Sequence, residues 1–251
     1  MTPEHRSFGS PEAPPLLLGS SLGTDIRMWD GQRPLSERLR LIAFAHRGHG
    51  GSPAPPGPYE IADLGADVLA LMDELGLQRA SYCGLSLGGM IGMWLAVNAP
   101  ERIERLVLIC TGAHMATASA YAERAVLVRR EGSTESIADG VVAKWLTPAY
   151  AAVHPDLRVR LRSMLTASDP EGYASCCEAI AAMDLRDQLA AVRAPTLVIS
   201  GADDLATPVE LQKEIARAIP GADHEVVEPA AHLAAVEQAE RVNELIGEHL
   251  R

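Results

Sequence analysis

The sequence predicts an α/β chain, a mainly parallel, doubly wound sheet carrying a helical cap. Three observations predict it. Short apolar runs alternate with helix-like segments along most of the chain, the pattern of a parallel sheet with helices on both faces. One of those runs enters a helix through Gly84-Leu85-Ser86-Leu87-Gly88, the glycine-flanked kind of turn that joins a strand to a helix. From about His114 to Leu189 the pattern is helical and charged, without a convincing strand. An insertion of that size reads as a cap over the carboxyl ends of the sheet, where open α/β folds place their ligands.

The elements follow in order. Pro15 to Gly19 is an apolar strand feeding the small-residue loop Ser20-Ser21-Leu22-Gly23. Leu39 to Ala45 is a second strand, closed by Arg47-Gly48-His49-Gly50-Gly51, and Ser52 to Pro58 is a rigid loop. Ile61, Leu64, Val68, Leu71, Met72 and Leu75 recur at spacings of three and four, an amphipathic helix that Gly76 ends. Ala80 to Cys83 is the strand before the glycine turn, and Gly89 to Ala99 the helix after it, stopped by Pro100. Arg105 to Cys110 and Pro195 to Ser200 are the strands on either side of the insertion. Thr207-Pro208 opens a helix to about Ile219, His224 to Val227 is a last short strand, and Leu233 to Leu250 a final helix.

Composition narrows the class. The 251 residues fit one large α/β domain or two smaller units, and 47% apolar with 22% charged residues is the balance of a globular chain with a substantial core. No apolar run approaches the roughly 20 residues that span a bilayer. Residues 1–15 are polar and proline-containing, which predicts no signal peptide. Cys83, Cys110, Cys176 and Cys177 lack zinc-type spacing and demand no oxidising compartment, so the expected location is the cytoplasm. A net charge of −11 without any basic run makes nucleic acid and anionic membranes poor partners.

The turn carries the first chemistry. G-x-S-x-G between a strand and a helix holds its serine on a strained corner, so Ser86 is the candidate nucleophile. A serine hydroxyl needs a base, and the base needs an orienting acid. Sheets that present a serine in this way supply the partners in the order serine, acid, histidine. Gly201-Ala202-Asp203-Asp204 follows one late strand, and Ala231-His232 precedes the final helix. His46 and His49 come before the serine, His224 lies near the wrong end of the last strand, and His249 ends the chain, which leaves His232. Only one of Asp203 and Asp204 can face it, since neighbouring side chains diverge. Glu228 and Glu237 are weaker rivals, expected on the surface. For the oxyanion, the N–H of Leu87 is one donor and the Ser21-Leu22-Gly23 loop supplies the second, expected at Leu22.

These residues resemble the α/β-hydrolase superfamily and, within it, the 3-oxoadipate enol-lactonases of aromatic-compound degradation. Ser21-Leu22-Gly23-Thr24-Asp25 with Met28-Trp29-Asp30 looks like the oxyanion loop of that family. Arg47-Gly48-His49-Gly50, Pro56-Gly57-Pro58-Tyr59 and Asp63-Leu64-Gly65 are similar to the stretch that follows. In the insertion, Gly172-Tyr173-Ala174, Cys176-Cys177 and Met183-Asp184-Leu185-Arg186 also match, and caps diverge more widely than elbows. One position departs: relatives usually carry aspartate where this chain has Ala45.

The resemblance implies an α/β-hydrolase fold with a core of 1–113 and 190–251, and a helical cap of 114–189 inserted after the sixth strand. Its G-x-x-D pattern selects Asp204 as the acid beside Ser86 and His232. It implies hydrolysis of 3-oxoadipate enol-lactone, a ring bearing an acetate arm, without metal or organic cofactor. Such an arm calls for a local cation; Arg124, Arg129 and Arg130 lie in the cap, with Arg129 the residue expected to bind substrate and Trp145 expected to wall the pocket. Alternatives on the same scaffold are a carboxylesterase, a cofactor-free haloperoxidase or perhydrolase, and a non-catalytic binding protein.

Overall fold

A computed structural model describes all residues, Met1–Arg251. Seven strands form one sheet: β1 (His5–Phe8), β2 (Pro15–Gly19), β3 (Arg40–Phe44), β4 (Ala80–Leu85), β5 (Ile103–Ile109), β6 (Thr196–Gly201) and β7 (Asp223–Val227). Their spatial order is β1-β3-β2-β4-β5-β6-β7; β1 runs antiparallel to β3 and every other pair is parallel. All six residues of β4 are buried. Side chains alternate between the faces of a strand, so the sheet is covered on both sides.

From β2 the chain steps outward to β3, then returns across β2 to β4. Strand order therefore reverses between β2 and β4, and the carboxyl ends of these two strands open the crevice where doubly wound sheets bind ligands. The parallel register sets Gly19 beside Gly84, so the two loops after these strands start level with each other.

α1 (Ile61–Glu74) buries Ile61, Leu64, Val68, Leu71 and Met72 along one stripe. A capping box between Glu60 and Asp63 starts it. α2 (Leu87–Asn98) is buried nearly all round, and Gly88, Gly89 and Gly92 let it lie close against the sheet. Between β5 and β6 the chain forms α3 (Ala118–Glu131), α4 (Glu135–Val142), α5 (Pro148–Val153), α6 (Pro155–Thr166) and α7 (Pro170–Ala182). The ends of this helical stretch meet at a bridge between His114 and Asp184 and a hydrogen bond from Leu185 N–H to the Ala113 carbonyl. α7 rests on the sheet side where Gly172 meets Gly48; a Cβ on Gly172 would lie 2.5 Å from the Gly48 Cα. α8 (Val209–Ala218) packs on β6, and α9 (Ala234–Glu237) and α10 (Ala239–His249) complete the fold.

Four details differ from the sequence-based expectation. The helical stretch leaves the sheet after the fifth strand, not the sixth, because only β1 precedes the parallel set. β1 itself escapes the pattern, since His-Arg-Ser-Phe has no apolar alternation and is held by edge pairing with β3. Ile26–Glu37 winds as a 3₁₀ helix around buried Met28 and Trp29. The expected final helix is broken at Gln238 into α9 and α10.

Candidate active site

Ser86 sits between β4 and α2 at φ 55° and ψ −113°, a strained conformation for a residue with a Cβ. Close approach explains its glycine neighbours. A Cβ on Gly84 would lie 2.2 Å from the Gly88 carbonyl oxygen, and one on Gly88 would lie 2.1 Å from that of Gly19. The strained backbone is pinned: Ser86 N–H donates to the Ile109 carbonyl at 2.9 Å, and its own carbonyl accepts the Thr111 hydroxyl at 2.7 Å. The serine hydroxyl has no partner within the chain and lines a cavity of about 150 Å³.

Asp204 lies three residues beyond β6, buried and fully engaged. One carboxylate oxygen, Oδ1, accepts the N–H groups of Ala206 (2.8 Å) and Thr207 (3.0 Å). The other, Oδ2, accepts the Thr207 hydroxyl at 2.7 Å and meets His232 Nδ1 at 2.9 Å. Burial pushes this carboxyl up, but the charge of His232 and the bonds from His232 and Thr207 outweigh it and hold Asp204 below its ordinary value. An ionised carboxylate can only accept, so Nδ1 of His232 carries a hydrogen, and in the neutral ring Nε2 is then the acceptor. His232 lines the same cavity as Ser86. Asp203 is exposed, and its side chain makes no hydrogen bond.

The loop Ser20–Thr24 follows β2 and runs beside the elbow. Gly88 N–H donates to the Ser20 carbonyl at 3.1 Å, tying loop and helix together. Leu22 N–H has no acceptor in the chain, and Leu87, as first residue of α2, has no intrahelical one. Leu22, Trp145, Tyr173, Arg124 and Lys144 complete the cavity wall. Arg124 has no carboxylate partner and lies over the Tyr121 ring, 5.1 Å from its centroid. The Tyr173 hydroxyl is buried beside the Arg124 guanidinium and makes no hydrogen bond of good geometry. Burial holds that phenol above its ordinary value, so it stays neutral. A larger cavity of about 1160 Å³, lined by Asp203, Tyr150 and Leu205 among others, contains neither Ser86 nor His232. The chain groups no three His, Cys, Asp or Glu side chains in a metal-holding arrangement.

Residues 14–239 match the alpha/beta hydrolase fold family. The chain belongs to that family. A 3-oxoadipate enol-lactonase of Acinetobacter baylyi is 39% identical over 96% of this chain and 90% of its own length. The crystal structure of the enol-lactonase from Burkholderia xenovorans LB400 superimposes with a TM-score of 0.96 at 40% identity, covering 98% of this chain and 95% of that one. A thermophilic esterase from Thermogutta terrifontis, studied with malate bound, is 32% identical with a TM-score of 0.92, covering 99% and 92%. This α/β-hydrolase is therefore similar both to lactonases and to an esterase, and no helix in it is long and apolar enough to cross a membrane.

Of the residues named from the sequence, Ser86, His232, Leu22 and Trp145 line one cavity, and Asp204 pairs with His232. Leu87 is fully buried next to Ser86 and outside the cavity lining, and Arg129 lies elsewhere. Its guanidinium is spent on Glu171 (2.8 and 2.9 Å), Glu178 (2.7 Å) and Ser175 (2.9 Å), clamping α3 to α7 away from the cavity. Arg124, five residues earlier on the same helix, is the arginine that lines the cavity. Glu237 is buried, contrary to expectation. It accepts Thr147 N–H and Ala231 N–H, each at 3.1 Å, and so joins the helical insertion to the loop that carries His232. Sequence reasoning had no assignment for Tyr173 beyond its motif; an aromatic in Gly172-Tyr173-Ala174 was the available signal.

Proposed function

We propose that the protein hydrolyses 3-oxoadipate enol-lactone to 3-oxoadipate through an acyl-enzyme on Ser86. The reading is carried by one juxtaposition: the unpartnered Ser86 hydroxyl, His232 and a cation without a carboxylate partner, Arg124, line the same cavity. That pocket suits a carbonyl compound with an anionic arm, and its relatives include enol-lactonases. Tyr173, a buried hydroxyl beside Arg124 on the same wall, supports an anionic or carbonyl ligand as well.

Ser86 Oγ attacks the lactone carbonyl as His232 Nε2 takes its proton, and Asp204 stabilises the resulting imidazolium. The N–H groups of Leu22 and Leu87 receive the oxyanion, where charge develops in the transition state. Collapse breaks the ring C–O bond, and the departing enolate takes a proton from His232 to become a ketone. Water, deprotonated by His232, then attacks the acyl-enzyme; Ser86 leaves with that proton, and the second carboxylate of 3-oxoadipate is released. Arg124 holds the acetate arm throughout. In this reading residues 114–189 form the substrate-covering cap on a core of 1–113 and 190–251, and the enzyme works in the cytoplasm.

The test is direct. Enol-lactone generated in place from muconolactone should lose its ultraviolet absorbance on addition of the protein, and Ser86→Ala should abolish the loss without unfolding. Brisk hydrolysis of aryl esters with no lactone turnover at micromolar protein would overturn the lactonase reading in favour of an esterase.

A further inference from the structure

Arg47-Gly48-His49-Gly50 has no part in the chemistry above, yet it touches the loop on which that chemistry depends. His49 is fully buried. Its Nε2 accepts the N–H of Gly23 at 2.9 Å, and its Nδ1–H donates to the Arg47 carbonyl at 2.8 Å. Gly23 N–H can only donate and the Arg47 carbonyl only accept, so both bonds require the neutral ring with hydrogen on Nδ1. Burial favours that neutral form by lowering the affinity of the ring for a second proton.

Most of the N–H groups of the loop Ser20–Thr24 are tied down. The Ser20 carbonyl receives Gly88 N–H and the His46 ring. Ser21 N–H points to the Met28 sulfur, and the Ser21 carbonyl takes both the N–H and the hydroxyl of Thr24. Gly23 N–H goes to His49. Of the N–H groups of the loop, those of Ser20 and Leu22 have no acceptor in the chain, and only that of Leu22 belongs to the stretch between the two anchored points. Gly23 adopts φ +79°, and a Cβ there would meet Leu165 at 2.6 Å, Tyr173 at 3.3 Å and Trp145 at 3.5 Å. The loop is thus pressed by residues of the helical insertion and braced by His49, whose ring lies 6.2 Å from that of Tyr173.

We propose that His49 is a positioning residue, whose Nε2 fixes the Leu22–Gly23 peptide so that the Leu22 N–H stays directed at the oxyanion. The inference rests on the assignment of Leu22 to the oxyanion site. Held at the Ser20 carbonyl on one side and at Gly23 on the other, the intervening Ser21–Leu22 peptide has little freedom left. Without the Nε2 acceptor, Gly23 N–H is buried and unsatisfied, and the loop turns to find another partner.

Two substitutions separate the ring nitrogens. The Gln side chain reaches as far as Nε2, so His49→Gln keeps an acceptor for Gly23. The shorter His49→Asn reaches only as far as Nδ1. Turnover of the enol-lactone and of phenyl acetate is measured for both, per active site counted by the end-point of phosphonylation at Ser86. His49→Asn should lose roughly 30- to 300-fold in kcat, with KM changed less than about threefold, because misdirecting one oxyanion donor acts on the transition state. His49→Gln should stay within about tenfold of wild type. Equal kcat in the two variants, or a change confined to KM, overturns the proposal. Wild-type turnover of phenyl acetate but not of the lactone removes the lactonase reading, and the His49 comparison is then decided on the ester.

Discussion

Replacing Asp204 by asparagine changes one atom, and the geometry dictates what that atom does. Oδ1 accepts two backbone N–H groups, Ala206 at 2.8 Å and Thr207 at 3.0 Å, neither of which can rotate away. The amide oxygen of asparagine must therefore occupy the Oδ1 position, since an NH₂ there would face two donors. That places the NH₂ at the Oδ2 position, against the Thr207 hydroxyl and His232 Nδ1. The hydroxyl can turn to accept. His232 Nδ1 lies 2.9 Å from that NH₂ and 3.1 Å from the amide oxygen, and the nearer contact is satisfied by giving up the hydrogen on Nδ1, which moves it to Nε2. Nε2 then faces Ser86 as a donor and cannot take its proton. A tautomer swap of this kind costs roughly 10⁴-fold in kcat, about 5 kcal/mol of barrier, while size and packing stay the same. Steady-state kinetics on the enol-lactone or an aryl ester, with a thermal melt as folding control, measure it. Asp203→Asn is the internal control, because that exposed carboxylate has no hydrogen-bond partner, and it should stay within about threefold of wild type. An Asp204→Asn enzyme that keeps more than a tenth of kcat, or that outperforms Asp203→Asn, would refute the assignment.

Arg124→Gln should raise KM for the anionic lactone by roughly 10- to 100-fold, the worth of a charge-assisted bond, and leave a neutral aryl ester within about twofold. Arg129→Gln should lower the melting temperature and leave both kinetic constants alone, since its charge is committed to Glu171 and Glu178; a KM effect there would return the carboxylate to Arg129. Gly84→Ala should abolish soluble, active protein, because its Cβ would sit 2.2 Å from a backbone oxygen, and normal activity would show that the elbow can relax. Stability should fall as pH drops from about 6.5 to about 4. Burial lowers His46 from 6.5 to about 4, so in that window the unfolded chain binds a proton the native ring refuses, a loss on the order of 3 kcal/mol. Urea titrations across the window should show a shallower slope in His46→Gln; an unchanged slope would exclude His46 as its source. Below that, Glu171, held near 2 chiefly by its bonds to Arg129, loses its stabilising charge as pH falls from 4.5 toward 2.

Local rules made the candidate nucleophile legible. The elbow needs two glycines and a serine within five residues, and each is required by contacts inside that same turn. The strand and helix periodicities were readable for the same reason, and with them the order in which acid and histidine must follow the serine. What the sequence left open depends on which faces meet. Arg124 and Arg129 lie on one helix, about 140° apart around its axis at 100° per residue, and both are arginines in a charged segment. Only the packing of α3 on α7 turns one toward the cavity and gives the other to Glu171 and Glu178. Glu237 reads as a surface residue until Thr147, 90 residues earlier in the chain, is placed against it. His49 looks like one more loop histidine until the crossover of the sheet sets it under Gly23. Residue spacing along the chain thus picked out the candidate nucleophile, the candidate histidine and the architecture that gathers them, because those signals act over one turn or one strand. The choice of Asp204 over Asp203 came instead from the family resemblance. Tertiary packing decided which arginine lines the cavity and what braces the loop after β2, because charge and hydrogen-bond capacity acquire a role only from the groups that distant segments bring within 3 Å.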